Sequence, residues 1–220
     1  MADIAEIKAL AQELCLMNIA TGRIDLTDEK TSNQDYLLNI LRQETELRRK
    51  KKADALKKAS RLPKKIFDTA KVSSGLRWQL EEISKLDFRN ETIRIVIVGE
   101  CATGKTALAA KIAGDAIVGG CPAVYTTEDD LLVASRRQKG HWNKLLHSDL
   151  IVLDDLFYMT PSEENLRLLY KAVMFLCETR SMIFVTNRPL SEWDSMCADR
   201  HTAVSFRQRI MTDAQLIHLG

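Results

Sequence analysis

Nothing in this 220-residue chain comes close to the roughly 18 consecutive apolar residues that a membrane-spanning helix requires, so no membrane span is expected. The N-terminus has neither the basic start nor the apolar stretch of a secretory signal. Cysteine chemistry is equally thin. The five cysteines (Cys15, Cys101, Cys121, Cys177 and Cys197) are scattered, odd in number and form no C-x-x-C pair, and the four histidines do not cluster with them. That pattern argues against a zinc site and a disulfide framework, and toward a reducing cytoplasm with no membrane partner. There is no internal repeat and no low-complexity tail. Net charge is also small, +2 from 32 basic and 30 acidic residues.

What is present has the balance of an ordinary soluble protein, 45% hydrophobic and 28% charged, with length for one standard domain and a smaller one. The small net charge hides an uneven distribution. Between Arg42 and Lys65 lie Arg48, Arg49, Lys50, Lys51, Lys52, Lys57, Lys58, Arg61 and Lys64, opposed only by Glu44, Glu46 and Asp54. Such a block neutralises nucleic-acid phosphates and releases their counterions, which makes Arg48, Arg49, Lys51 and Lys52 candidate DNA contacts. A solvated helix face is the alternative.

The first third reads as helical. Ile4, Ile7, Leu10, Ala11, Leu14 and Met17 recur at threes and fours, which predicts one apolar helix face ending at Gly22. A second helix starts near Ser32, carries Leu37, Leu38, Ile40, Leu41 and Leu47, and runs into the basic block until Pro63 stops or bends it. Residues 1–62 are therefore expected to form a small basic helical module that binds a partner or DNA, and residues 63–220 the main domain. There, Trp78, Leu80, Ile83 and Leu86 read as packing residues of a linker and helix. Strands are expected at 93–98, 123–126, 150–153, 182–186 and 215–218, alternating with helices. Continuously apolar strands in such alternation predict a three-layer α/β sandwich around a parallel five-stranded sheet, with ligands at the carboxyl ends of the strands.

The most informative residues follow the first of these strands. Gly99-Glu100-Cys101-Ala102-Thr103-Gly104-Lys105-Thr106 fits G-x-x-x-x-G-K-[ST], the Walker A phosphate loop. Its backbone N–H groups would curl around phosphate oxygens at the positive end of the next helix. Lys105 would reach the terminal phosphates of ATP, and Thr106 would place its hydroxyl on Mg²⁺. Leu150-Ile151-Val152-Leu153-Asp154-Asp155 has the Walker B pattern, with Asp154 as Mg²⁺ ligand and Asp155 orienting or deprotonating the attacking water. Asp155 is one methylene shorter than the Glu common there, so a scaffold that binds ATP with little hydrolysis stays open. If the strand ending at Asn187 lies beside the phosphate-loop strand, Asn187 reaches the γ-phosphate as a sensor; a turn-forming Asn is the alternative.

With Thr126-Thr127-Glu128-Asp129-Asp130-Leu131-Leu132 and Thr186-Asn187-Arg188-Pro189-Leu190-Ser191-Glu192-Trp193 added, the chain resembles the IstB family. These are AAA+ helper ATPases of insertion-sequence transposition, related to the DnaC helicase loaders. The resemblance implies an ASCE-type sheet, DNA binding, ATP-dependent self-association and a transposase partner, or a replicative helicase if the DnaC likeness governs the client. It also puts Arg209 at the arginine-finger position, facing a neighbouring subunit's γ-phosphate, and places Arg136, Arg137 and Lys139, with His141 and Trp142, on an inner DNA-binding surface. No base-reading motif is recognisable, so DNA contact is expected to be largely independent of sequence.

Overall fold

Five apolar runs become five strands: β1 (Arg94–Gly99), β2 (Ala123–Thr127), β3 (Leu150–Asp154), β4 (Ser181–Thr186) and β5 (Ala214–Leu219). All adjacent pairs are parallel and the order is β2-β3-β4-β1-β5. The computed structural model describes residues 4–24, 26, 33–195 and 200–220; Ser32 and Cys197 lie outside the described residues. The chain divides into the units Met1–Ala55 and Leu56–Gly220.

In the larger unit, side chains alternate across the sheet. Val96, Val98, Ile151, Leu153, Met182 and Phe184 join one core cluster with α6 (Glu128–Arg137), α8 (Glu163–Cys177) and α9 (Arg200–Met211). Their neighbours Ile95, Ile97, Val152, Ile183 and Val185 are equally buried and face the other way. There α5 (Lys105–Val118) lies against β1, β3 and β4, with α4 (Ser74–Ser84) packed on it. A strand covered on both faces must be apolar at every position, which is why these runs show no alternation in the sequence. The short α7 (His141–Leu146) follows α6. Trp78 does not pack as expected: it is 63% exposed, and Ile83 is the deeply buried residue of α4.

The smaller unit is built from α1 (Ile4–Glu13), α2 (Met17–Ala20) and most of α3 (Asn33–Ala59). The expected single first helix is broken, because Cys15 adopts a left-handed φ of 55° between α1 and α2. Its core is small: Ala11, Ile19, Ile24 and Ile40. Leu10, Leu14, Leu37, Leu38 and Leu41 stay exposed, contrary to the expected apolar face. Glu44 is buried on α3, where it accepts from the Asn18 backbone N–H at 3.1 Å and pairs with Arg48 at 2.7 Å. The helix ends at Ala59, before Pro63.

An aromatic cluster closes the end of the larger unit near the Walker B turn. Phe157 packs edge-on against Trp193 and Phe206, with ring centroids 5.0 and 5.5 Å apart. Phe206→Ala should lower unfolding free energy by about 3–5 kcal/mol in urea titrations, as cavity formation in a tight core costs. A loss below about 1 kcal/mol would mean that the cluster is not tightly packed.

Candidate nucleotide-binding site

Parallel strands put every carboxyl end on one edge of the sheet, and three of those ends carry the residues singled out above. β1 runs into the 99–106 loop, β3 ends at Asp154, and β4 leads into Asn187. Since β4 lies between β3 and β1, the three ends are adjacent. A cavity of about 340 Å³ opens there, lined among others by Lys105, Thr106, Asp154, Asp155, Thr186 and Asn187. The structure brings these sequence-selected residues together.

The loop is shaped by close approach and by backbone conformation. A Cβ on Gly99 would sit 1.9 Å from the Leu219 carbonyl oxygen of β5, so glycine is required by the neighbouring strand as well as by the loop. Gly104 precedes α5 with φ 91°, which L residues rarely adopt. Ala102 also has a positive φ of 65°, a strained choice for a residue with a Cβ. The Thr103 hydroxyl donates to the Glu100 carbonyl at 2.9 Å, and the buried Lys105 ammonium donates to the same oxygen.

Asp154 is buried and both its oxygens are held. Oδ1 accepts from the Asp155 N–H at 2.8 Å, and Oδ2 accepts from the Tyr125 hydroxyl at 2.8 Å. Burial, then the adjacent carboxylate, raises the Tyr125 phenol well above its usual range, so it stays a donor. Burial and the neighbouring Asp154 also raise the Asp155 carboxyl above its ordinary value, against Lys65 and Lys105. Among the described residues no group of three His, Cys, Asp or Glu forms a metal cage. One carboxylate and one hydroxyl beside a phosphate loop nevertheless fit Mg²⁺, a hard cation that fills its shell with phosphate oxygens and water.

Several neighbours of the site were not legible in the sequence. Lys65 and Tyr158 line the cavity, Tyr125 orients Asp154, and Glu128 accepts from the Phe157 N–H at 2.7 Å. Only the adjacency of β2 and β3 brings Tyr125 and Glu128 to Asp154 and Phe157, and no local pattern announces it. Asn187 donates to the Cys101 sulfur at 3.4 Å. The Trp193 indole N–H donates to the Arg188 carbonyl at 3.4 Å, so the segment that carries the resemblance also braces the aromatic cluster.

Arg209 lies elsewhere. It is exposed and shares a shallow cavity with Arg94, at the start of β1. At about 3.3 Å per residue, that is roughly 16 Å along the strand from the chain's own phosphate loop. Arg207 instead forks onto Asp194 at 2.7 and 2.9 Å. Of the candidate DNA contacts, Arg49, Lys51, Lys52, Arg137 and Lys139 are exposed. Arg48 is engaged by Glu44 and the Cys15 carbonyl. Arg136 donates to Asn165 at 2.6 Å. Trp142 stacks on Phe175 at 6.1 Å and packs on the core, so the aromatic half of the expected basic–aromatic surface is already committed.

Comparison with known proteins adds a family. A profile described as IstB-like ATP binding protein matches residues 6–220. A Bacteroides fragilis protein named for ATP binding in an IS21-like insertion sequence is 25% identical, covering 98% of this chain and 87% of its own. A Geobacillus stearothermophilus counterpart from insertion sequence IS5376 is 25% identical over 86% of this chain and 79% of its own. Among solved structures, the DnaC helicase loader matches with TM-score 0.55 and 18% identity, over 70% of this chain and 93% of that one. AMPPCP-bound DnaA from Aquifex aeolicus matches with TM-score 0.51 and 22% identity, over 67% of this chain and 47% of that one. These structural matches give the fold alone, an α/β sandwich around a parallel five-stranded sheet. Among the described residues no helix is long and apolar enough to cross a membrane.

Burial pushes the Glu128 carboxyl from 4.5 up to about 7, so the folded chain holds that proton more tightly than the unfolded chain. The group therefore favours folding at low pH and loses that contribution as pH rises toward 7. The melting-temperature difference between Glu128→Gln and wild type should widen in favour of the variant from about pH 5 to about pH 8. A constant difference would show that this carboxyl is not desolvated.

Proposed function

The chain belongs to the IstB-like ATP-binding protein family, and from that premise we propose that it is a DNA-binding AAA+ ATPase that assembles on DNA and recruits or activates a transposase. The observation that carries this reading is the convergence of Lys105, Thr106, Asp154, Asp155 and Asn187 on one cavity. In it, backbone N–H groups of the 99–106 loop and the N-terminus of α5 hold the β- and γ-phosphates of ATP. Lys105 leaves the Glu100 carbonyl for the terminal phosphates. Thr106 and Asp154 hold Mg²⁺, which supplies charge neutralisation at the phosphates. Asp155 orients the attacking water, and Asn187 steadies the γ-phosphate from β4.

Arg209 acts in trans. Its distance from its own loop supports this, because the chain's own triphosphate site lies beyond the reach of the side chain. ATP then bridges protomers, and hydrolysis loosens the assembly. The module spanning residues 1–62 receives the client, and its basic helix contributes Arg48, Arg49, Lys51 and Lys52 to DNA. The insertion-sequence names of the sequence relatives favour a transposase over a helicase as that client.

Mixing two inactive variants tests the bridge. Lys105→Ala keeps its finger and Arg209→Ala keeps its phosphate loop, so the mixture should regain DNA-stimulated phosphate release that neither shows alone. If Arg209→Ala alone hydrolyses normally, the finger assignment is wrong. On the DNA side, replacing Arg136, Arg137 and Lys139 together by Ala should reduce the slope of log affinity against log salt by about 2–3. An unchanged slope removes this segment from the interface.

A further inference from the structure

The segment that leads from α3 toward α4 is fastened at two points. At one, the Ser60 carbonyl accepts from the Tyr125 N–H of β2 at 2.7 Å, and the Ser60 hydroxyl accepts from the Leu62 N–H at 3.2 Å. Ser60 is buried, and Arg61 beside it pairs with Asp130 at 3.1 Å. At the other point, the Phe67 ring lies against the phosphate loop, 3.6 Å from where a Cβ on Gly104 would sit. β2 is an edge strand, whereas Gly104 caps the start of α5 after β1. Three strand spacings, about 14 Å, separate β2 from β1. Extended chain from Ser60 to Phe67 reaches at most about 25 Å, so this strap has little slack. Pro63 stiffens it further by fixing one φ.

The strap brings a lysine to the nucleotide cavity. Lys65 lines it together with Lys105, Asp155 and Asn187, and its neighbour Lys64 does not. Among the described residues the Lys65 ammonium forms no hydrogen bond or ion pair. Lys105, by contrast, is buried and donates to the Glu100 carbonyl. The charge of Lys65 acts on the Asp155 carboxyl more strongly than that of Lys105, which puts it on the Asp155 side of the cavity. A magnesium triphosphate retains negative charge, and Asp154 and Asp155 add to it. Lys105 and the positive end of α5 offset only part of that charge. A lysine on a flexible four-carbon stem can reach inward without moving the strap.

From this placement we infer that Lys65 is a catalytic residue whose ammonium contacts the γ-phosphate of ATP beside Asp155 and stabilises the charge of the transition state. This rests on the ATPase reading above. In the reaction, the water oxygen bonds to the γ-phosphorus as the bond from that phosphorus to the β–γ bridging oxygen breaks. The electron pair of the broken bond leaves with ADP. One water proton passes to Asp155 and the other stays on the new phosphate. Lys65 remains protonated throughout and donates to a γ-oxygen, where fixed positive charge is most effective. ADP has no such oxygen, so Lys65 also distinguishes triphosphate from diphosphate.

Lys65 is exposed, so substitutions there remove no packing, and the full chain can be used for every measurement. Lys65→Met should bind ADP within about twofold of wild type and lose about tenfold or more in kcat at saturating duplex. Lys65→Arg, which keeps the charge, should hold kcat within about threefold of wild type. In wild type, labelling of Lys65 by acetic anhydride, read by mass spectrometry, should fall about fivefold with AMPPCP and magnesium and less than about twofold with ADP. A role confined to holding the strap would not separate the two nucleotides. A wild-type kcat in Lys65→Met, a Lys65→Arg no better than Lys65→Met, or equal labelling with AMPPCP and ADP overturns the inference and leaves the ATPase reading intact. Wild-type protein that binds no nucleotide or releases no phosphate refutes that reading and this inference with it.

Discussion

The site exists because β4 lies between β3 and β1 with all three strands running the same way. Neighbouring strands stand about 4.8 Å apart, so the chain leaving each of them meets at one small edge. Reversing any one strand would carry its terminal residue roughly 16 Å or more to the other edge, beyond the reach of a side chain. Asp154 and Asn187, distant in sequence, thus become neighbours of the phosphate loop without a contact designed for each pair. β5 adds a constraint on the far side, where its Leu219 carbonyl leaves no room for a side chain at Gly99.

The turn after β3 is the strained part of this arrangement, and magnitudes indicate how it survives. A left-handed conformation costs a residue with a side chain about 1–2 kcal/mol. Burying a phenylalanine stabilises by roughly 2–3 kcal/mol, and aromatic edge contacts add to that. Phe157, buried between Trp193 and Phe206, therefore repays its own strain with a small surplus. The surplus is small enough for a single hydrogen bond, such as that from Phe157 to Glu128, to matter for where Asp155 points. Family-like residues such as Trp193 then hold the turn through packing, at a distance from the phosphates.

The strands were legible because burial on both faces forces unbroken apolar runs, and each expected strand appears within one residue of its observed ends at most positions. The phosphate loop and the carboxylate pair were legible because their chemistry is local: a few consecutive residues contain the whole device. The N-terminal helices were legible in type and not in detail. Ile4, Leu10, Leu14 and Met17 repeat at helical spacing, yet the left-handed Cys15 breaks the helix and those side chains remain exposed. Trp78 misled for a similar reason, since a large apolar residue on a short amphipathic helix can lie at its solvent edge. Tyr125 and Glu128 were illegible because their partners are fixed by strand order, which no single segment encodes.

All of this turns on whether the cavity between the 99–106 loop and Asp154 holds a magnesium-bound adenine nucleotide. Titration calorimetry with ATP, run on folded wild-type protein and on a Lys105→Ala variant of matched melting temperature, tests it most directly. Wild type should show saturable, magnesium-dependent binding that the variant loses. A well-folded wild-type protein with no affinity for adenine nucleotides, or a variant that binds them equally well, would contradict it.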